Sequence, residues 1–203
     1  AQQLLSGYGW IFPLGDGHVN IGVGTLATQR RPADVKLREV LNLYVAQQRD
    51  EWQINEHIRM YASAMLPMGG AVSNVSGTNW MLIGDAAACV NPLNGEGIDY
   101  GLETGRLAVQ ILGEPDYSDA WRVTLQSHYG DAFSIARRLG SLLTLPRFLP
   151  IFGPVGMQSS NIMAVALRIM GNLITAEDRD LTARMWRAAG QLSQVIDARK
   201  PWS

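Results

Sequence analysis

Cysteine is almost absent from this chain of 203 residues, which contains only Cys89. A single cysteine excludes an internal disulfide and a cysteine-rich metal site. Such sparse use of cysteine favours a reducing compartment. The three histidines, His18, His57 and His128, are scattered along the chain without the spacing of metal ligands. We therefore expect no metal centre.

Charge is also scarce. Charged residues make up 17% of the chain, with 17 basic and 18 acidic side chains and a formal net charge of -1. An average soluble domain is roughly a quarter charged. The sparse and balanced charge argues against a nucleic-acid partner, and the 47% share of hydrophobic residues predicts apolar surface for a ligand, a partner or a membrane.

No stretch has the composition of a membrane span. The longest uncharged run in the later part of the chain, residues 148–167, contains two prolines, two glycines and a polar segment. We therefore reject a transmembrane helix there and leave a surface-lying apolar segment open. The chain begins with Ala1, without an initiator Met or an apolar leader, so we expect it to be cut from a longer polypeptide.

The front of the chain has the pattern of β-structure. Two runs rich in aromatic and β-branched residues, Tyr8–Pro13 and 18–24, flank a Gly/Asp turn and predict an antiparallel hairpin. Asp34 is a candidate cap for a helix that should end near Trp52. A further strand is predicted over residues 58–66.

The middle of the chain combines a short buried strand, predicted over 80–83, with a helix that starts after Gly97. The predicted apolar side of that helix consists of Ile98, Leu102, Ala108, Val109 and Leu112. Gly101 and Gly105 would allow another part of the backbone to approach closely. Nearly everything from residue 113 onward is predicted to be helical, so the predicted fold class is α+β.

The segment 80–98 is the most informative part of the sequence, because it joins a strand, a loop of small residues and a glycine-rich helix start. Asp85 follows the strand, where ligands commonly bind, and its carboxylate can accept hydrogen bonds from sugar-like hydroxyls. Gly95 and Gly97 would present N–H groups at a helix start that favours an anionic oxygen. This combination fits a flavin nucleotide, with ribitol hydroxyls at Asp85 and the pyrimidine edge near Gly97 and Ile98.

The same segment resembles the second FAD motif of the geranylgeranyl reductase family, within a wider class of flavoproteins that includes aromatic hydroxylases. The matching strings are Gly-Asp-Ala-Ala from Gly84 and Pro-x-x-Gly-x-Gly-Ile from Pro92. By this resemblance Asp85 contacts the ribityl chain, and Gly97 and Ile98 contact the isoalloxazine. The residues implied to bind FAD are Gly84, Asp85, Ala86, Pro92, Gly95, Glu96, Gly97 and Ile98.

A second string, Tyr-Gly-Trp-Ile-Phe-Pro over residues 8–13, resembles the aromatic motif that lines the isoprenoid cavity in this family. The resemblance implies that substrate contacts Tyr8, Trp10, Phe12 and Pro13. Judged without the family, such an aromatic stripe is more often core packing. Leu14 stands where the family often has lysine, which favours a neutral lipid head group.

The implied function is a FAD-dependent reductase that saturates isoprenyl double bonds of a polyprenyl lipid such as geranylgeranyl groups or menaquinone. Hydride would come from reduced FAD, and the sequence identifies no catalytic acid. The same flavin motif also fits an aromatic hydroxylase that uses O₂, although the motif at residues 8–13 favours reduction. A non-catalytic lipid-binding module is the third interpretation.

The dinucleotide fingerprint Gly-x-Gly-x-x-Gly is missing. The nearest string, 22–27, follows a predicted strand but opens no helix. The chain therefore resembles the C-terminal half of a FAD-dependent reductase, inactive alone and lacking an N-terminal half with that fingerprint. We expect an external electron donor, and a cytoplasmic location with peripheral contact to the inner face of the cell membrane.

Three regions are predicted from these patterns. Residues 1–75 form an antiparallel substrate-binding sheet with an inserted helix, residues 76–112 form the FAD-contacting strand-loop-helix, and residues 113–203 form a helical C-terminal region. Two of the candidate site residues have ordinary structural interpretations as well. Asp85 could be a turn residue, and Glu96 could simply match the helix dipole.

Overall fold

A computed structural model describes residues 6–28, 35–55, 57–145 and 147–203. The described part contains six α-helices and two small antiparallel sheets, which confirms the α+β class. The chain divides into two compact units. The first unit comprises residues 1–63 and 141–152, and the second comprises residues 64–140 and 153–203. The predicted division into regions 1–75, 76–112 and 113–203 stays a prediction.

The first unit contains the predicted hairpin. Strand β1 (Gly7–Pro13) pairs antiparallel with β2 (Val19–Thr25), and the register places Trp10 opposite Gly22 and Tyr8 opposite Gly24. Gly15 and Gly17 in the connection have φ near +80°, the left-handed conformation that glycine adopts without strain. The sequence prediction of this hairpin is confirmed.

Helix α1 (Leu37–Trp52) also belongs to the first unit and ends where the sequence predicts. Its predicted cap, Asp34, lies outside the described residues, and Lys36 directly precedes the first turn. Tyr44 packs against the hairpin, since a Cβ on Gly9 would lie 2.7 Å from the Tyr44 ring. One side of β1 is therefore covered by α1 at this point.

The strand predicted over residues 58–66 is wrong. These residues form neither a helix nor a strand, and their side chains are exposed, with Met65 95% exposed. The described part of the chain pairs no strand with this segment, and an apolar run without a pairing edge has no ladder of hydrogen bonds to hold it extended.

The second unit begins its regular structure with two short strands, β3 (Ser76–Gly77) and β4 (Trp80–Met81). The predicted strand over 80–83 is thus only two residues long, and it is not buried, because Trp80 and Ile83 are 41% and 43% exposed. Gly84, with φ +54°, turns the chain away immediately afterwards.

Helix α2 (Ile98–Gln110) confirms the helix predicted after Gly97, but its buried side differs from the prediction. Tyr100, Thr104 and Leu107 face the core. The predicted apolar side is largely exposed in this chain, at the following residues: Ile98, Leu102, Val109 and Leu112. Periodicity finds an apolar stripe but does not say which side of a helix the rest of the molecule covers.

Four more helices confirm the helical character predicted after residue 113. They are α3 (Ala120–Leu143), α4 (Phe148–Met157), α5 (Ser160–Met170) and α6 (Leu181–Val195). Among the described residues, none of the helices combines the length and the apolar character that crossing a bilayer requires.

The core of the second unit is built around aromatic side chains from α2 and α3. Tyr100 lies 5.2 Å from Phe133 and 5.5 Å from Tyr129, measured between ring centroids. Trp121 and Trp202 are fully buried beside them. Aromatic rings bury large areas and fix their neighbours' geometry, so this cluster makes the core of the second unit rigid.

Candidate functional site

The Gly-Asp-Ala-Ala string forms a single turn of 3₁₀ helix, Gly84–Ala87, seated on α2. The Gly84 N–H donates to the Thr104 hydroxyl at 3.0 Å, and that hydroxyl donates to the Tyr100 carbonyl at 2.6 Å. A Cβ on Gly84 would lie 3.3 Å from the Gly101 Cα. The backbone therefore approaches closely at Gly101, although the missing side chain that permits this is that of Gly84, because a Cβ on Gly101 would meet no described atom within 4 Å outside its own helix.

Asp85 and Gly97, both predicted site residues, lie side by side. A Cβ placed on Gly97 would be 2.5 Å from Asp85 Oδ1 and 3.1 Å from Val90 Cγ2, so a side chain there would push the Asp85 carboxylate aside. The Asp85 side chain is exposed and accepts no hydrogen bond from the part of the chain that the structure describes. Its carboxylate is thus open to a ligand's hydroxyl groups.

The loop between the turn and α2 is held by its own polar side chains and backbone. The Asn91 N–H donates to the Glu96 carbonyl at 2.8 Å, and the Gly95 N–H donates to the Asn91 carbonyl at 2.9 Å. The Gly95 N–H is therefore already used, which differs from its expected role as a free donor. Pro92, also predicted for the site, is buried within this loop.

Glu96 caps helix α2. Its Oε1 accepts from the Asp99 N–H at 2.9 Å, which is the ordinary structural role considered for this residue. Among the described residues, none accepts a hydrogen bond from the N–H groups of Gly97 and Ile98. These two groups, at the positive end of the α2 dipole, can donate to an anionic ligand oxygen beside Asp85.

Two asparagines that sequence reasoning missed anchor this loop to α5. Asn91 Nδ2 and Asn94 Nδ2 both donate to the Met170 carbonyl, at 3.0 and 2.9 Å. Their Oδ1 atoms accept from the backbone two residues further on, in Leu93 and Glu96. The Asn-Pro-x-Asn string could have revealed this anchor, because asparagine side chains in turns commonly accept a hydrogen bond from the backbone two residues further on.

Cys89 lies just after the turn and is fully buried. Burial, and to a smaller degree the negative charge of Asp85, raise the pKa of its thiol to about 12. The side chain is therefore a neutral thiol near neutral pH and not a nucleophile. No group of three or more potential metal ligands occurs among the described residues.

A cavity of about 390 Å³ lies among α2, α3, α5 and α6 in the second unit, and sequence reasoning missed it. Its lining includes Tyr100, Glu103 and Tyr129. Burial, followed by the Glu103 carboxylate, raises the pKa of the Tyr129 hydroxyl far above its usual value. The pKa of Tyr100 is raised as well, mainly by burial.

The predicted substrate residues form an open face on β1. Tyr8 and Phe12 are 57% and 59% exposed, and Trp10 lies between them with its ring 5.9 Å from that of Tyr8. Trp10 Nε1 donates to Asn20 Oδ1 at 2.9 Å, and its ring lies over Gly22, where any Cβ would overlap it. In the described part of the chain Tyr8 and Phe12 are not packed in a core, Trp10 is half-buried, and Pro13 is exposed beside them.

The first unit also contains an apolar groove of about 440 Å³. It is lined by Leu145, Arg147, Phe148, Ile151 and Phe152. Apart from the Arg147 head group, these side chains are hydrocarbon, so the groove suits an apolar chain.

Comparison with known proteins agrees with these features. Residues 5–65 match the family model of the geranylgeranyl reductase catalytic domain. The chain is 61% identical to a menaquinone reductase of Mycolicibacterium smegmatis, over 99% of this chain and 50% of that protein. It is 60% identical to a menaquinone reductase of Mycobacterium tuberculosis, over 98% of this chain and 49% of that protein.

A more distant relative is digeranylgeranylglycerophospholipid reductase 3 of Methanosphaera stadtmanae. It is 33% identical over 63% of this chain and 33% of that protein. No solved structure matches the chain.

The chain spans about half the length of the mycobacterial relatives that it matches. Nearly all of its residues align with them, and the family to which they point is generally flavin-dependent. The aromatic face of β1 lies inside the matched stretch 5–65. The chain is thus similar to geranylgeranyl reductases in residues 5–65 and to menaquinone reductases over nearly all of its length.

Proposed function

We propose that this chain is the C-terminal half of an FAD-dependent reductase that saturates isoprenyl double bonds of a polyprenyl lipid such as menaquinone. The observation that carries the proposal is the 61% identity to a menaquinone reductase over 99% of the chain. Since the chain covers only half of that relative, the activity belongs to the complete polypeptide.

FAD is the cofactor that fits the second unit. The exposed Asp85 carboxylate can accept hydrogen bonds from the hydroxyl groups of the ribityl chain, and the absence of a side chain at Gly97 leaves it accessible. The N–H groups of Gly97 and Ile98 make no hydrogen bond to described residues and can donate to an anionic edge of the flavin. When bound, the flavin supplies the hydride. The residues proposed to hold it are Gly84, Asp85, Ala86, Pro92, Gly95, Glu96, Gly97 and Ile98.

In this proposal Gly95 and Pro92 act through the shape of the loop, because the Gly95 N–H is bonded internally and Pro92 is buried. Glu96 acts by capping α2 and keeping the Gly97 N–H at the helix start. Asp85, Gly97 and Ile98 are left as the groups that touch the cofactor directly.

The substrate contacts are proposed on the open face of β1. Tyr8, Trp10 and Phe12 present rings that can bind an isoprenoid chain and exclude water from it, and Pro13 extends the same surface. Leu14, 59% exposed, offers no charge to a phosphate, which favours a lipid with a neutral head group such as a quinone. No catalytic residue is proposed.

The remainder of the polypeptide would carry the dinucleotide fingerprint and would receive electrons from an external donor. The exposed apolar side of α2, with Ile98 82% and Leu102 73% exposed, is a surface for that remainder. We keep the three regions 1–75, 76–112 and 113–203 as the proposed division of function. A cytoplasmic protein in peripheral contact with the membrane would reach a lipid substrate.

The test uses the complete polypeptide with FAD, a chemical reductant and menaquinone under anaerobic conditions. A product that has gained hydrogen at an isoprenyl double bond, detected by mass spectrometry, is the expected result. Hydroxylated product that forms only when O₂ is admitted would instead identify a monooxygenase. Lipid binding without flavin and without turnover would contradict the reductase and favour a binding module.

A further inference from the structure

Trp202 is fully buried although it lies in an irregular stretch after α6. Its indole Nε1 donates to the Ala87 carbonyl at 2.7 Å, and its backbone N–H donates to the Gly70 carbonyl at 2.9 Å. The preceding residue is held as well, because Gln126 Nε2 donates to the Pro201 carbonyl at 3.0 Å. Trp202 thus contacts the last residue of the turn that carries Asp85.

A second path connects Trp202 to the same turn through Gly70. The Gly70 N–H donates to the Ala88 carbonyl, and the neighbouring Gly69 N–H donates to the Val90 carbonyl, both at 2.9 Å. A Cβ on Gly70 would lie 2.8 Å from Pro201 Cβ and 3.0 Å from the Trp202 ring. Since Gly70 has φ +70°, both its conformation and its surroundings require glycine.

The turn needs such support because Ala88, which closes it, has φ +54°. A residue with a Cβ adopts this left-handed conformation only when its surroundings impose it. Among the described residues, the Trp202 indole is the nitrogen donor for the Ala87 carbonyl, and the Gly70 N–H is the donor for the Ala88 carbonyl. These two bonds fix the peptide groups on either side of the strained residue.

Trp202 itself is held in place by ion pairs between α3 and the segment after α6. Asp197 accepts from Arg137 at 2.9 Å and from Arg138 at 2.7 Å, and Ser134 donates to the same carboxylate at 2.6 Å. The Trp202 ring packs on Phe133 with 5.5 Å between centroids. The tryptophan is therefore a fixed part of the core when it meets the turn.

We propose that Trp202 is a positioning residue for the cofactor turn Gly84–Ala88. It orients the Ala87 carbonyl, and through it the turn that presents Asp85 to the ribityl chain. This inference rests on the flavin site proposed above, and it assigns a role to a residue far from both sequence motifs. Loss of the indole N–H would leave the buried Ala87 carbonyl, among the described residues, with only the weak Cys89 thiol donor at 3.8 Å, and would loosen the turn.

The test is Trp202→Phe in the complete polypeptide, which keeps the aromatic packing and removes the N–H. Trp121→Phe is the matched control, because Trp121 is also fully buried and donates its indole N–H to the Leu82 carbonyl at 2.7 Å. We expect the FAD dissociation constant of W202F to rise about 10-fold, and that of W121F to stay within about two-fold. The melting temperatures of the two variants should fall by similar amounts.

A second measurement covers the case in which W202F does not fold. With ¹⁵N-labelled tryptophan in the wild-type protein, FAD should shift the indole signal of Trp202 more than that of Trp121. Equal FAD affinity of W202F and wild type, equal weakening in both variants, or an unshifted Trp202 signal would overturn the inference. A wild-type protein that binds no FAD would instead refute the proposed function.

Discussion

Gly97 decides whether the Asp85 carboxylate stays accessible. Any Cβ at position 97 would fall 2.5 Å from Asp85 Oδ1, so the residue pair depends on the smallest side chain. Gly84 has a different reason to be glycine, since its φ of +54° and its approach to Gly101 both disfavour a side chain. The two glycines are therefore required for different reasons: Gly97 leaves space beside the Asp85 carboxylate, and Gly84 permits the left-handed backbone conformation of the turn.

Asp85→Ala tests the carboxylate alone. The side chain is exposed and bonded to no described residue, so we expect an unchanged melting temperature and an FAD dissociation constant raised about 10-fold or more. Asp85→Asn keeps one acceptor oxygen, so its FAD dissociation constant should lie between those of the wild type and Asp85→Ala. Asp116→Ala, another exposed aspartate, should bind FAD like the wild type, and fluorescence titration of the apoprotein measures all four.

The buried Cys89 thiol should lower the free energy of unfolding at alkaline pH. Because burial raises the folded-state pKa of the thiol from 9.0 to about 12, the unfolded chain releases its proton first as pH rises. The free energy of unfolding is then highest below about pH 9 and falls toward pH 12, by about 1.4 kcal/mol per pH unit for this one group. Buried Tyr100 and Tyr129 act with the same sign at higher pH.

Urea unfolding at about pH 8 and about pH 10.5 measures this effect. Cys89→Ala removes the thiol, so the variant should lose about 2 kcal/mol less than the wild type between the two pH values. Parallel losses in the two proteins would show that Cys89 does not carry the effect.

Strand β1 shows how a short element separates two surfaces. Gly9 faces Tyr44 of α1, whereas Tyr8 and Phe12 are exposed. Alternation along a strand predicts that the rings of Tyr8, Trp10 and Phe12 share a side. It does not reveal whether that side is core or binding surface, because the covering element is distant in sequence.

Substitution of this open face should affect the lipid and spare the fold. Tyr8→Ala and Phe12→Ala remove rings that are more than half exposed, so melting temperatures should stay near that of the wild type. The KM for menaquinone should rise about 10-fold, because each ring contributes on the order of 1–2 kcal/mol of apolar contact. Leu43→Ala, which removes a side chain that is 66% exposed on α1 of the same unit, is the control and should leave KM unchanged.

Elements with strong local signals could be predicted from the sequence, whereas elements defined by distant contacts could not. The hairpin and the end of α1 follow from turn glycines and local periodicity. Residues 58–66 have the composition of a strand but no partner in the described chain. The buried side of α2 was assigned wrongly because the residues that meet the aromatic core are Tyr100, Thr104 and Leu107.

The two compact units of the molecule each contain one motif, the aromatic strand in the first and the cofactor turn in the second. The residues of the turn were predictable because they are contiguous. Their supports were not, since Met170 and Trp202 reach the loop from more than seventy residues away along the chain. Contacts of that separation leave no pattern in a single sequence.

Flavin binding by the complete polypeptide is the central claim, and its visible absorption spectrum tests it most directly. We predict flavin absorption bands in the purified wild type, their loss in Gly97→Val, and their retention in Gly101→Ala. The Gly101 control is matched because a Cβ there meets no described atom within 4 Å outside its own helix, whereas one at Gly97 strikes Asp85. A wild type that stays colourless after addition of FAD, or a G97V variant that binds FAD as tightly as the wild type, would contradict the account.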